Sequence, residues 1–185
     1  YERLVFDGPG CAPSFFDISD ANDRLVSAST FSKSWLMTGW RLGWLVAPAP
    51  FIEQLGKVIE YNTSCSPVFV QRAGDAAIKH GDAIIARTQA RFRAARDHLC
   101  NALNTLPRVH APAPPGAMYA FFKVDGMTDS LAFCKSLVVN QGLGIAPGAG
   151  FGDEGEGFLR WCFASELPRL DEGIERFKRG LAALR

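Results

Sequence analysis

The sequence is short of several features that would assign it to a broad class of proteins. Its 20 Lys and Arg residues are nearly balanced by 19 Asp and Glu residues, which gives a formal net charge of +1. A chain with so little excess charge gives no reason to expect a nucleic acid or an anionic membrane as a partner. No stretch approaches the roughly 18 consecutive apolar residues that a membrane-spanning helix needs. These absences argue against a nucleic-acid-binding protein and against a membrane-spanning one.

Paired cysteines and clustered histidines are also lacking. The cysteines are odd in number and none forms a Cys-x-x-Cys pair: Cys11, Cys65, Cys100, Cys134 and Cys162. We expect free thiols, mostly small buried apolar residues, in a protein of the reducing cytoplasm. The three histidines are equally dispersed, so we expect no metal site.

What the sequence does contain is one unusual run, residues 29–44, which reads STFSKSWLMTGWRLGW. Lys33 stands among hydroxyl residues directly after an apolar segment, and Arg41 follows between two glycines. A lysine in such a setting can form an imine with a carbonyl compound, and an arginine near hydroxyls can hold a phosphate dianion. Pyridoxal phosphate carries both an aldehyde and a phosphate. The plainer interpretation of the run is a turn between two strands.

Hydrophobic periodicity predicts a mixed α/β chain. Strands are predicted at 2–6, 25–28, 42–47, 118–124 and 158–164, and helices at 51–61, 68–80, 82–104, 129–140 and 167–184. Residues 8–24 and 62–67 are predicted to be loops. The glycine-rich segment 144–152 lacks the Lys-Ser/Thr ending and the following helix that a P-loop needs.

The run around Lys33 resembles the Schiff-base lysine motif of class I/II (fold type I) aminotransferases, which reads roughly Ser/Thr-x-Ser-Lys and then Gly-x-Arg-x-Gly. Tyr1 is similar to the end of the family's Asp-x-x-Tyr motif, whose aspartate would precede residue 1. Three later segments also match in order and spacing: 115–119, similar to the start of the small domain; 147–152, similar to a Pro-Gly-x-x-Phe-Gly loop; and 158–164, similar to the strand whose arginine binds the substrate carboxylate.

The resemblance implies a role for each matched residue. Lys33 would be the catalytic lysine, which forms an aldimine with pyridoxal 5′-phosphate and then acts as the general base. Arg160 would bind the substrate carboxylate, because its planar fork matches that group. The residues expected to bind the cofactor are Tyr1, Thr30, Ser32, Lys33 and Arg41.

The resemblance also implies the architecture. We expect an α/β chain of fold type I, in which residues 1–80 form the C-terminal part of a mostly parallel, three-layer large domain. A long interdomain helix would occupy 81–105, and a small C-terminal α/β domain 106–185. A cytoplasmic homodimer is expected. Since the chain opens on what resembles the inside of a strand, it looks like part of a longer protein.

The expected activity is transfer of an amino group between an amino acid and a 2-oxo acid, in amino acid metabolism. Two alternatives remain: a lyase or decarboxylase with the same fold and cofactor, and the aminotransferase-like, cofactor-sensing domain of a transcription regulator. Residues 59–61 read Ile-Glu-Tyr, where family members that act on dicarboxylates often have an arginine. This weakly disfavours recognition of an aspartate or glutamate side chain by that route.

Overall fold

The computed structural model describes residues 1–8, 10–20 and 23–184. The chain divides into two units, Tyr1–Gln89 and Ala90–Arg185, and the boundary falls inside a long helix. The finer division predicted from the sequence, with that helix as a separate segment at 81–105, stays a prediction.

Strands and helices are mixed along the chain, as the periodicity predicts. The strands are β1 (Ser27–Thr30), β2 (Gly43–Val46), β3 (Val109–His110), β4 (Tyr119–Val124), β5 (Ala146–Pro147) and β6 (Phe158–Cys162). The helices are α1 (Ala49–Thr63), α2 (Val68–His80), α3 (Asp82–Asn104), α4 (Ser130–Ser136) and α5 (Leu167–Ala182). A short π-helical turn, Leu137–Gln141, follows α4.

The first predicted strand, at residues 2–6, is wrong. The segment turns instead, with the Leu4 amide donating to the Tyr1 carbonyl at 2.8 Å, and Val5 forms only an isolated bridge. Leu4 and Phe6 are 0% and 2% exposed, so their apolar character reflects packing into a core and not strand pairing. Part of the loop predicted at 8–24 lies outside the described residues.

In the first unit, β1 and β2 form an antiparallel pair, with Ser27 opposite Val46 and Thr30 opposite Gly43. The mostly parallel sheet expected for the large domain is not formed by the described residues, whose strand pairs are all antiparallel. Parallel strands need a long crossover, usually a helix. The connection between β1 and β2 contains only short turns. Without a crossover helix, the antiparallel arrangement is the one expected for this pair.

Gly43 is required at the start of β2 because the backbone of β1 passes close to it. A Cβ at this position would lie 2.4 Å from the Ser29 carbonyl oxygen. We expect Gly43→Ala to lower the free energy of unfolding by about 1–3 kcal/mol, the usual cost of overpacking. Urea denaturation measures this difference in the free energy of unfolding. Gly39→Ala is the matched control, because a Cβ there would meet nothing within 4 Å. Equal stability of the two variants would contradict the prediction.

In the second unit, four antiparallel strands form one sheet in the order β3-β4-β6-β5. One face of this sheet packs against α5. The Phe177 ring of α5 lies edge-on to Phe122 of β4 and Trp161 of β6, with centroids 5.7 and 5.8 Å apart. Since side chains alternate along a strand, their neighbours Phe121 and Arg160 face the other side. That second face is the one that carries the candidate site residues of this unit.

The helix α1 has the apolar stripe that predicted it, but none of its residues is buried. Phe51, Ile52, Val58 and Ile59 are all exposed. The apolar spacing therefore predicted the helix correctly. The described residues, however, provide no surface against which this apolar stripe packs. None of the described helices is long and apolar enough to cross a membrane.

All five cysteines are free, as predicted, but the expectation that most are buried is wrong. Cys11, Cys65 and Cys162 are exposed. Burial raises the pKa of the two others, Cys100 and Cys134, to about 11, so these two thiols stay protonated and act as small apolar groups. Among the described residues, no group of His, Cys, Asp and Glu could hold a metal ion.

Candidate active site

The turn that carries Lys33 is held in place from its apolar side. The rings of Phe31, Trp35 and Trp44 contact one another, with centroids 5.0 to 6.1 Å apart. The Trp35 indole N–H also donates to the Ala77 carbonyl of α2 at 2.9 Å. The backbone on either side of Lys33 is therefore fixed by aromatic packing, and the lysine itself is left half-buried.

Two hydroxyls and a guanidinium meet beside this lysine. The Ser32 amide donates to Thr30 Oγ1 at 3.1 Å, and the two side-chain oxygens are 2.9 Å apart. Arg41 Nη1 donates to Ser32 Oγ at 3.4 Å and to the Thr38 carbonyl at 2.8 Å. In the described part of the chain, no carboxylate pairs with Arg41. The result is a cluster of donors whose positive charge is not neutralised.

The backbone around Arg41 explains how its side chain reaches Ser32. Arg41 follows the short helical turn Thr38–Trp40 and has a φ of +50°, in the left-handed region that a non-glycine residue seldom adopts. Such strained residues persist where the surrounding structure determines them, and they concentrate at functional sites. Here the strain accompanies a turn that brings the guanidinium back to the end of β1.

Lys33 also lies close to Tyr1. Its Nζ is 5.7 Å from the centroid of the Tyr1 ring. Of the residues predicted to surround the cofactor, the first unit thus brings Lys33 to Tyr1, and it brings Arg41 and Thr30 to Ser32, the residue that precedes Lys33. Their individual roles stay predictions.

Arg160 lies in the second unit, on the sheet face opposite α5. It stands on β6 with strands on both sides, opposite Phe121 of β4 and Ala146 of β5. Its guanidinium carbon lies 4.6 Å from the Tyr119 ring centroid and 4.4 Å from the Phe151 ring centroid. No described residue forms a hydrogen bond or an ion pair with its side chain. A half-buried arginine whose donors are not used by any described residue is suited to bind an anion.

The loop that carries Phe151 is anchored by close backbone contacts. Gly148 and Gly155 approach so closely that a Cβ on either would lie 2.1 Å from the carbonyl oxygen of the other. The Ala149 amide donates to Ser130 Oγ at 3.3 Å. The Glu156 carboxylate accepts from the amides of Ser130 and Gly157, and these bonds lower its pKa. The loop is therefore tied to the start of α4.

The residues that sequence reasoning missed are Tyr119 and Phe151. Both stand in segments that it had singled out, 115–119 and 147–152, but neither was assigned to the site. Only the contacts with Arg160 distinguish them. The only signal in the sequence was that both residues lie in segments that resemble family motifs. That the two rings contact Arg160 could not be read from those segments.

Comparison with known proteins decides the family. The sequence model described as aminotransferase class I and II matches residues 1–177. The chain belongs to this family. It is 32% identical to the putative aminotransferase YugH of Bacillus subtilis, over 98% of this chain and 46% of that relative. It is also 32% identical to the aspartate aminotransferase of Thermotoga maritima, over 96% of this chain and 45% of that enzyme.

Solved aminotransferase structures have the same fold. The Thermotoga maritima aspartate aminotransferase superimposes with a TM-score of 0.86 at 31% identity, over 98% of this chain and 46% of that one. The aromatic aminotransferase from Pyrococcus horikoshii gives a TM-score of 0.90 at 28% identity, over 99% and 49%. The prediction of an α/β aminotransferase fold is therefore confirmed. The chain spans about half the length of the relatives it matches.

Membership of the aminotransferase family implies pyridoxal phosphate as the cofactor. The donors of this chain fit such a group. A phosphate needs hydrogen-bond donors and positive charge, which Thr30, Ser32 and Arg41 provide together. An aldehyde needs an amine close to that phosphate site, and Lys33 is in the same turn.

Proposed function

We propose that this chain is part of an aminotransferase that moves an amino group between an amino acid and a 2-oxo acid with pyridoxal phosphate. The observation that carries the proposal is the cluster of Thr30, Ser32 and Arg41 beside Lys33. A lysine among phosphate-binding donors is what this cofactor needs. When bound, the cofactor supplies the electron-withdrawing ring that stabilises negative charge at the substrate Cα.

The residues of the chain would divide the remaining work. Thr30, Ser32 and Arg41 hold the phosphate, while Tyr1 contributes its phenol near Lys33. The Lys33 amine, when neutral, removes the proton from the substrate Cα as a general base. Arg160 offers a planar pair of N–H groups that matches the substrate carboxylate.

The test of the proposed function is an amino-donor screen of the full protein with 2-oxo acid acceptors. We expect one oxo acid to be produced for each new amino acid formed. A lyase or a decarboxylase would instead release its products without an acceptor, and a cofactor-sensing regulator would show no turnover. The relatives described above are named aminotransferases, which supports the transfer reaction over these alternatives.

Removal of Arg41 is expected to weaken cofactor binding. A hydrogen bond to a charged group contributes about 1.5–3 kcal/mol, so Arg41→Ala should lower pyridoxal phosphate affinity roughly 10- to 150-fold. Absorbance titration of the full protein measures this. Arg87→Ala is the control, an exposed arginine of the same unit outside the cluster. Unchanged affinity of Arg41→Ala would remove Arg41 from the phosphate site.

The residues of the chain say less about which substrate side chain the enzyme recognises. At the end of α1, residues 59–61 contain no arginine, and Tyr61 is 94% exposed. The absence of an arginine here weakly disfavours recognition of an aspartate or glutamate side chain by this segment. Some relatives are named aspartate aminotransferases, so the donor screen has to include aspartate and glutamate.

We further propose that the full protein is a cytoplasmic homodimer. The exposed apolar side chains of α1 and α2 support the existence of a covering surface, because Val68 and Phe69 are each 70% exposed. Contiguous exposed apolar groups of this kind mark contact surfaces. Light scattering on the full protein tests the proposal, and a monomeric mass would contradict it.

A further inference from the structure

Within the part of the chain that the structure describes, two aromatic rings contact the Arg160 guanidinium and no polar group does. The Tyr119 and Phe151 ring centroids lie 4.6 and 4.4 Å from its guanidinium carbon. Both distances are inside the reach of about 6 Å within which the face of a ring attracts a cation. Among the described residues, no carboxylate or carbonyl oxygen accepts from this side chain.

This mode of attachment has a chemical advantage for an anion-binding arginine. A guanidinium has five N–H donors and no acceptor. An ion pair within the protein would occupy some of these donors and would neutralise the charge. Contact with two rings restrains the group while it leaves every donor available. Part of the conformational entropy that the Arg160 side chain would lose on binding a carboxylate is therefore already lost in the free protein.

We propose that Tyr119 and Phe151 are positioning residues that hold the Arg160 guanidinium ready for the substrate carboxylate. The inference rests on the proposed role of Arg160 in the aminotransferase. It adds two residues for which the motifs give no role, and it explains why a charged side chain occupies a strand between apolar neighbours.

Both rings are held by backbone structure. Tyr119 opens β4, where it pairs with Cys162 of β6, two residues beyond Arg160. Phe151 ends the short turn Gly148–Phe151, and its ring lies edge-on to Phe121 with centroids 6.0 Å apart. The close approach of the Gly148 and Gly155 backbones fixes that turn. The two rings therefore belong to separate, well-fixed segments that meet at Arg160.

The test is steady-state kinetics of the full enzyme with single substitutions. Leucine removes the ring and keeps an apolar side chain, so Phe151→Leu and Tyr119→Leu should each raise KM for the amino acid and for the oxo acid about 2- to 5-fold. Neither should change kcat or cofactor affinity. The double variant should raise KM about 5- to 30-fold.

Conservative variants separate positioning from general packing. Tyr119→Phe and Phe151→Tyr keep the ring and should retain the wild-type KM. Phe158→Leu is the matched control, because Phe158 lies on the same sheet face and stacks on Phe121 at 5.1 Å without a ring contact to Arg160. A KM rise in Phe158→Leu equal to that in Phe151→Leu would overturn the inference.

The Arg160→Ala variant separates the positioning role of the two rings from the carboxylate-binding role of Arg160. If Arg160→Ala raises KM and neither leucine variant does, the positioning role fails while the carboxylate role stands. If Arg160→Ala leaves KM unchanged, the proposed role of Arg160 fails first. Support requires that Phe151→Leu raise KM in the wild-type background and have no further effect in the Arg160→Ala background.

Discussion

Replacement of Lys33 by alanine in the full protein should reduce kcat by at least about 10²–10⁴-fold, the contribution of a well-placed general acid or base. The variant removes the only amine in the turn that holds Thr30, Ser32 and Arg41. It leaves in place the donors that are proposed to hold the phosphate, so cofactor should still bind. Lys33→Arg should not restore turnover, because a guanidinium stays protonated and cannot accept the substrate proton.

The control for this prediction is Lys57→Ala on α1, where the lysine forms an exposed ion pair with Glu53. Its kcat should equal that of the wild type. Borohydride reduction of the cofactor-loaded protein, followed by peptide mapping, should mark Lys33. A mark on another lysine would reassign the catalytic amine, and full turnover by Lys33→Ala would end the proposed mechanism.

The second large effect is expected at Arg160. Two hydrogen bonds from a guanidinium to a carboxylate, at about 1.5–3 kcal/mol each, predict that Arg160→Ala lowers kcat/KM about 100-fold or more. The loss should be similar for the amino acid and the oxo acid, because both carry the carboxylate that Arg160 is proposed to bind. Cofactor affinity should change little. Arg160→Lys should recover little, since a point charge cannot reproduce the two parallel bonds.

Arg169→Ala, which removes an exposed arginine at the start of α5, is the matched control in the same unit. It should retain the wild-type kcat/KM. If Arg160→Ala lost cofactor affinity as strongly as substrate affinity, Arg160 would belong to the cofactor site instead.

Helices were the most predictable part of the fold. The bounds of α2 and α3 agree with the sequence, because Pro67 and Asp82 mark their starts and the apolar stripes are long. The two-residue strands β3 and β5 were missed, since alternation cannot be recognised over so few residues. The end of the helix predicted at 129–140 becomes the π-helical turn Leu137–Gln141, which periodicity does not reveal.

In the candidate site, too, residues close together in sequence could be predicted and residues far apart in sequence could not. The cluster of Thr30, Ser32 and Arg41 could be anticipated because all three residues lie in one short run. Tyr119 and Phe151 could not, because they are far apart in sequence. They meet at Arg160 only through the pairing of β4 with β6 and the turn that follows β5.

The alternation of side chains along β6 restricts how the length of this strand can change. Arg160 faces away from α5, while Leu159 and Trp161 are buried on the opposite face. Deletion or insertion of a single residue just before Arg160 would exchange the two faces. The guanidinium would then point towards the face that packs against α5, and after a deletion the Trp161 indole would take its place on the opposite face. Over generations, this segment can therefore accept substitutions, whereas gains or losses of residues have to be absorbed in the loop that precedes it.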